Sequence, residues 1–257
     1  FVTNLYYLHV INLAGIYSLV TIGINLLTGY TGQVSMGHAG FFAVGTYVSA
    51  LLAMNFGFPW ILGCVAAAAF ASACGFVIAV PAMKLAGSYL VLATVGFGEI
   101  VRLILLNWTP VTKGAAGLVG IPLPRIAGMQ IMSEQEFFYL ILAFLILGTY
   151  VAYRMAASKI GRTFMAIRED ELAARAMGVP INRYKIAAFM ISAGYAGAAG
   201  AIYGSFSGVA SPDNFTFDDS VAFLCMSVIG GNRTVGGALV GTVTLVVLNE
   251  LLRAFQA

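Results

Sequence analysis

The chain has 257 residues, of which 60% are hydrophobic and only 9% charged, with a formal net charge of +3. Soluble domains carry about 25% charged residues, so this chain cannot cover a water-exposed globule. That excludes a cytosolic enzyme, a disordered chain and a nucleic-acid binder, which needs a basic face interleaved with aromatic platforms. Residues 1–83 contain no Asp, Glu, Lys or Arg, and Lys84 is the first such side chain. The sequence is that of an integral membrane protein.

In chain order, the apolar runs long enough to span a bilayer are Leu5–Leu27, Ser35–Met54, Trp60–Met83, Tyr89–Trp108, Phe137–Tyr153, Ile186–Phe206 and Val235–Leu252. A spanning helix needs roughly 20 apolar residues. Lipid offers the backbone no hydrogen-bonding partner, and long Leu/Ala/Val runs without strict alternation favour helices over a barrel. Val221–Ile229 is too short to cross and reads as a re-entrant or half helix. The expected fold is an all-α polytopic bundle of about seven or eight transmembrane helices with glycine-broken or re-entrant segments. One transmembrane domain is expected to fill residues 1–257. The chain opens at Phe1 rather than Met, so its natural start is expected upstream, and no signal peptide is read.

Two connections are polar. Asn107–Glu136 carries Pro110, Pro122 and Pro124 and reads as a loop with turns. The segment 154–185 holds seven of the 13 Lys and Arg: Arg154, Lys159, Arg162, Arg168, Arg175, Arg183 and Lys185. Short loops rich in basic residues stay cytoplasmic, which puts 154–185 inside and Asn107–Glu136, one span away, outside.

The glycines cluster. Gly194, Gly197, Gly200, Gly204 and Gly208 recur at helical spacing, a small-residue face on which another helix backbone can approach closely. Gly29, Gly32, Gly37, Gly40 and Gly45 interrupt an apolar run with polar residues, as do Gly230, Gly231, Gly236, Gly237 and Gly241. Such breaks in both halves of a membrane protein point to unwound helices along a transport route, or to turns at the membrane surface.

Few residues suit chemistry. Glu99 and Arg102, at i and i+3, can pair on one helix face; they form a structural ion pair near the outer end of their span, or a gate beside a path. His38 stands alone in the first break, as a hydrogen-bonded structural group or a solute contact. No metal ligand set accompanies it, and no nucleophile–base pair is evident. Cys64, Cys74 and Cys225 sit in apolar runs and read as small core residues. The candidate path-lining groups are Thr31, Gln33, Ser35, His38, Glu99 and Asn214, with Asp218 also at the outer mouth.

The basic segment has internal order. Phe164, Ile167 and Glu171 share a helical face, Asp170 is placed to cap a second short helix containing Ala173 and Ala174, and Gly178 closes it. Two short helices with an elbow at Arg168–Asp170 suit docking to a soluble partner better than an inert cytoplasmic loop or a contact with lipid headgroups.

Three stretches resemble the membrane permeases of ATP-driven (ABC) importers for branched-chain amino acids, of the livM/livH type. They are Asn25–Tyr47, with Thr28-Gly-Tyr-Thr-Gly-Gln33; Gly87–Pro122, with Gly96-Phe-Gly-Glu-Ile-Val-Arg102; and Ser158–Ala188, with Ala166-Ile-Arg-Glu-Asp-Glu171. The resemblance implies a bacterial or archaeal cytoplasmic (inner) membrane and no catalytic site on this chain. It implies a second permease subunit, a different but related chain, two cytoplasmic ATPase subunits that bind ATP and Mg, and an extracytoplasmic solute-binding protein. Ser158–Gly178 then resembles the coupling helix, with Arg162, Phe164, Ile167, Arg168, Glu169, Asp170, Glu171, Ala173, Met177 and Gly178 as ATPase-coupling residues. It departs from the general Glu-Ala-Ala-x-x-x-Gly motif, because Leu172 intervenes between Glu171 and Ala173. Relatives carrying urea, short amides or aromatic acids have similar permeases. The rivals from other classes are a stand-alone channel or ion-coupled carrier and an intramembrane enzyme.

Overall fold

The computed structural model describes residues 5–82, 87–126 and 129–256. Lys84 and the predicted end of the third span at Met83 lie outside the described residues. Helix α1 (Leu5–Ile24) continues into a π-helical turn at Asn25–Gly29, after which the chain leaves helical form through residues 32–37. Then come α2 (His38–Phe56), α3 (Trp60–Ala82), α4 (Ser88–Asn107) and the four-residue α5 (Thr109–Thr112). The second predicted span therefore starts later than Ser35, which stays in the unwound stretch.

The connection after α4 is a loop with turns, as its prolines require, tied by two small ladders. Strand β1 (Leu118–Val119) pairs antiparallel with β4 (Val209–Ala210), and β2 (Arg125–Ile126) with β3 (Met129–Gln130). Helix α6 (Glu134–Ala157) opens on a capping box between Ser133 and Glu136 and ends near Arg154, charges that suit both ends of its dipole. Helices α7 (Lys159–Glu169) and α8 (Glu171–Ala176) precede α9 (Ile181–Ser207), which begins five residues before the predicted Ile186 because Asn182, Arg183 and Lys185 form its first turns. Last come α10 (Phe217–Gly230) and α11 (Val235–Gln256).

Among the described residues, seven helices are long and apolar enough to cross a membrane. Helix α10 has 14 residues, or about 21 Å, short of a full crossing, as its brief apolar run predicts. Helices α1, α2 and α9 form the centre of the core, whereas α3, α4, α6 and α11 each turn an apolar face outward. The small-residue face of α9 makes the centre possible: a Cβ on Gly200 would lie 2.1 Å from the Phe42 carbonyl oxygen of α2, and one on Gly197 would lie 2.4 Å from Ala71 Cβ of α3. Gly208 is not part of that face; it ends α9 in the left-handed region at φ 68°. Of the cysteines, Cys64 is buried as expected, but Cys225 is exposed on α10.

The ends of the bundle are fixed by contacts. At one end the Asn12 side chain of α1 donates to the Glu134 carbonyl of α6 (3.0 Å), and Tyr6 bonds the Glu250 carboxylate of α11. The elbow between α7 and α8 sits at the other end, against the π turn and the α10–α11 turn.

Candidate functional site

The first glycine break is an unwound segment packed inside the bundle. A chain that leaves the helix must satisfy its polar groups otherwise, and side chains do so here. The Thr28 hydroxyl donates to the Gln33 carbonyl (3.0 Å), the Thr31 hydroxyl to the Leu27 carbonyl (2.6 Å), and the Met36 N–H to the Thr94 hydroxyl (3.0 Å). Gln33 Nε2 donates to Thr31 Oγ1 (3.0 Å) and to the Lys185 carbonyl (3.3 Å). His38 is fully buried, its Nδ1 3.2 Å from Ser35 Oγ and its Nε2 2.6 Å from Ser192 Oγ on α9.

Thr31, Gln33, Ser35 and His38 are thus brought together, but most of their polar atoms are taken by protein partners. Gln33 Oε1 and, at the start of the π turn, Asn25 Oδ1 are buried without a partner. Glu99 stands on α4, facing Met36, Ala39 and Gly40 across a small cavity. Asn214 is exposed on the 3₁₀ turn Pro212–Asn214, away from the break, and Asp218 is exposed in the first turn of α10. Arg102 grips the Glu99 carboxylate through Nη2 (2.6 Å) and Nε (3.1 Å to each oxygen), the pairing that the i, i+3 spacing predicts.

The second break differs. Residues 231–234 form a tight turn between α10 and α11, with Arg233 and Thr234 exposed. Asn25 Nδ2 donates to the Gly231 carbonyl (3.1 Å), so the two breaks touch.

The elbow takes its form from its sequence. Ser158 caps α7, and the Asp170 carboxylate accepts from the N–H groups of Leu172 (2.9 Å) and Ala173 (3.0 Å) to cap α8. Gly178 closes it at φ 80°. Phe164 and Ile167 are buried against the bundle, Phe164 edge-on to Tyr184, so they anchor the elbow and present no surface. Arg162 donates to the Ala157 carbonyl (3.1 Å). Glu171 pairs with Lys185 of α9 (2.6 Å) and lies 3.5 Å from Arg175. Arg168 and Glu169 bond different elements: Arg168 donates to the Gly29 carbonyl of the π turn, and Glu169 pairs with Arg233 at 2.5 Å. Leu172 (76% exposed), Ala173, Arg175, Ala176, Met177 (84%) and Gly178 are exposed on α8 and the turn after it.

Sequence reading missed Ser192 and Thr94, which clamp the first break, and Arg233, which ties the second to the elbow. No spacing rule links residues 58 or 154 positions apart. Leu172 was legible as the insertion that breaks the importer motif. Among the described residues no group of three His, Cys, Asp or Glu side chains is placed to hold a metal ion.

A family model described as "Branched-chain amino acid transport system / permease component" matches residues 6–257. The high-affinity branched-chain amino acid transport system permease protein LivM of Escherichia coli (strain K12) is 34% identical over 264 residues, covering 94% of this chain and 62% of that protein. LivH of Salmonella typhimurium is 27% identical over 95% of this chain and 84% of its own length. The autoinducer 2 import system permease protein LsrC of Klebsiella pneumoniae is 28% identical over 65% of this chain. The chain therefore spans 62% of the length of the LivM relative that it matches. No solved structure matches.

Proposed function

The chain belongs to the permease-component family of branched-chain amino acid transport systems, and on that premise we propose that it is a membrane-spanning permease subunit of an ATP-driven importer for branched-chain amino acids. It works beside a second permease, with two cytoplasmic ATPase subunits and an extracytoplasmic solute-binding protein, in a bacterial or archaeal inner membrane. The chain is one transmembrane domain that hydrolyses nothing itself; ATP and Mg are held by the ATPases.

One observation carries this reading. Adjacent residues of the elbow reach both glycine breaks, Arg168 to the Gly29 carbonyl and Glu169 to Arg233. A push on α7 and α8 is therefore delivered at once to the π turn of α1 and to the joint between α10 and α11. Ala173, Leu172, Met177 and Gly178 form the surface on which an ATPase subunit docks, while Phe164 and Ile167 tie that surface to α9. Solute passage follows from alternating access: closure of the ATPases moves the elbows, and the unwound segment beneath α2 rearranges. Such a segment gives way more easily than an unbroken helix, since its backbone groups hang on single side-chain hydrogen bonds.

The test is reconstitution of the chain with its sister permease and ATPases in proteoliposomes, with the solute receptor added outside. Labelled leucine should enter only when ATP is hydrolysed. Uptake by the chain without an ATPase subunit would replace this reading with that of a carrier.

A further inference from the structure

Helices α1, α6 and α11 leave an open groove of about 290 Å³ between them, close to the lower end of small-molecule sites at about 300–1,000 Å³. Ala14 and Gly15 of α1, Ile141 and Leu145 of α6, and Val243 and Val247 of α11 line it. Ser18, also in the wall, has its hydroxyl committed to the Ala14 carbonyl (2.7 Å). The wall therefore offers a polar solute no free side chain, and such a solute would lose its water without replacement.

The groove is held open. Helices α1 and α11 are fastened at two levels, by the Tyr6 hydroxyl on the Glu250 carboxylate and by the Thr242 hydroxyl on Thr21 (3.0 Å), and on α1 the groove lies between them. Helix α6 is held to α1 by the Asn12 amide on Glu134 (2.8 Å), and at Gly15 an added Cβ would lie 2.6 Å from Ile141 Cγ2. The lining residues run from Val10 to Ser18 on α1 and from Leu239 to Val247 on α11, a rise of about 12 Å on each helix. A partner helix crossing the bilayer would need a seam of about 30 Å, whereas 12 Å fits within one leaflet of the hydrocarbon core.

The rim gives the groove a polarity. Among the described side chains, Glu134 stands one turn beyond Phe138 on α6 and Glu250 one turn beyond Val246 on α11, with the exposed Tyr6 and Tyr7 on α1. Tyrosines of this kind mark the headgroup level of a bilayer. Two carboxylates there repel an anionic headgroup and attract an ammonium.

We propose that this groove is a phospholipid site: it takes one acyl chain from the leaflet facing away from the elbow, and its rim selects an ethanolamine headgroup. The site goes beyond the importer reading and does not depend on which solute is carried.

The experiment reconstitutes the complex in vesicles of equal parts phosphatidylethanolamine and phosphatidylglycerol, re-extracts it in mild detergent and quantifies the co-purified lipid by mass spectrometry. The wild type should retain phosphatidylethanolamine in preference to phosphatidylglycerol. Val243→Phe, which fills the groove, should lower that retention about tenfold or more, the lower end of what one misfit group costs in an apolar pocket. Glu250→Lys should turn the preference toward phosphatidylglycerol, while Tyr6→Phe, which loses the same hydrogen bond but keeps the charge, should not. If Val243→Phe fails to assemble with its partner subunits, the contrast between Glu250→Lys and Tyr6→Phe decides. No preference in the wild type, undiminished retention in Val243→Phe, or the same preference in Glu250→Lys as in the wild type overturns the site. So does a disulfide from Val243→Cys to a cysteine scanned along the second permease, since protein would then cover the groove.

Discussion

The Glu169 carboxylate and the Arg233 guanidinium meet at 2.5 Å across 64 residues of sequence, joining the elbow to the turn between α10 and α11. The preceding residue, Arg168, donates to the Gly29 carbonyl of the π turn. Neighbouring side chains thus reach two touching joints of the bundle, each of which is already interrupted as a helix.

That ion pair should matter more for transport than for stability. Both side chains are well over half exposed, at 60% and 66%, and exposed pairs contribute about 0.2–1 kcal/mol. Glu169→Ala or Arg233→Ala should therefore leave the thermal unfolding midpoint almost unmoved while lowering uptake per ATP hydrolysed. The double variant should be no worse than either single one. A measured ratio of uptake to hydrolysis equal to wild type in all three would remove the pair from the coupling path.

Two glycine positions should respond oppositely to one methyl group. At Gly200 the added Cβ would sit 2.1 Å from a backbone oxygen, whereas at Gly236 it meets nothing within 4 Å. Gly200→Ala should cost about 1–3 kcal/mol by overpacking. Gly236→Ala, in the first turn of α11, should be neutral or slightly stabilising, since Ala is the better helix former. Unfolding of the two variants in detergent compares them directly.

His38 and Gln33 should separate stability from transport. His38→Ala empties a fully buried site and strands Ser35 and Ser192, at a cost of about 2–5 kcal/mol, typical of large-to-small core changes. Gln33→Ala breaks the bonds to Thr31 and the Lys185 carbonyl but also deletes a buried oxygen that has no partner. Its cost should be nearer 1 kcal/mol. A transport defect in Gln33→Ala at near-normal stability would mark this residue as part of the path; wild-type uptake would mark it as structural.

The spans, the cap at Asp170, the Glu99–Arg102 pair and the small-residue face of α9 were legible because each follows from spacing along one helix. The roles inside the elbow were less so. Phe164 and Ile167 stand among its candidate contacts in the sequence, yet they face inward, because an amphipathic helix beside a bundle buries the apolar stripe that a partner would otherwise take. The glycine breaks look alike as sequences, but one is an unwound core segment and the other a surface turn; the difference lies in what packs against each. The π turn at Asn25–Gly29 left no mark in the residue pattern.

Composition and periodicity alone determined that this chain lives in a membrane, which segments cross it and where the charged handle lies, since those depend on transfer of each segment from water to lipid. Only the tertiary structure decided that Arg168, Glu169, Asn25 and Arg233 converge, that Ser192 reaches His38, and that Glu99 faces a cavity. Those contacts depend on how helices far apart in sequence cross and rotate against one another, and that is settled by packing rather than by any local preference.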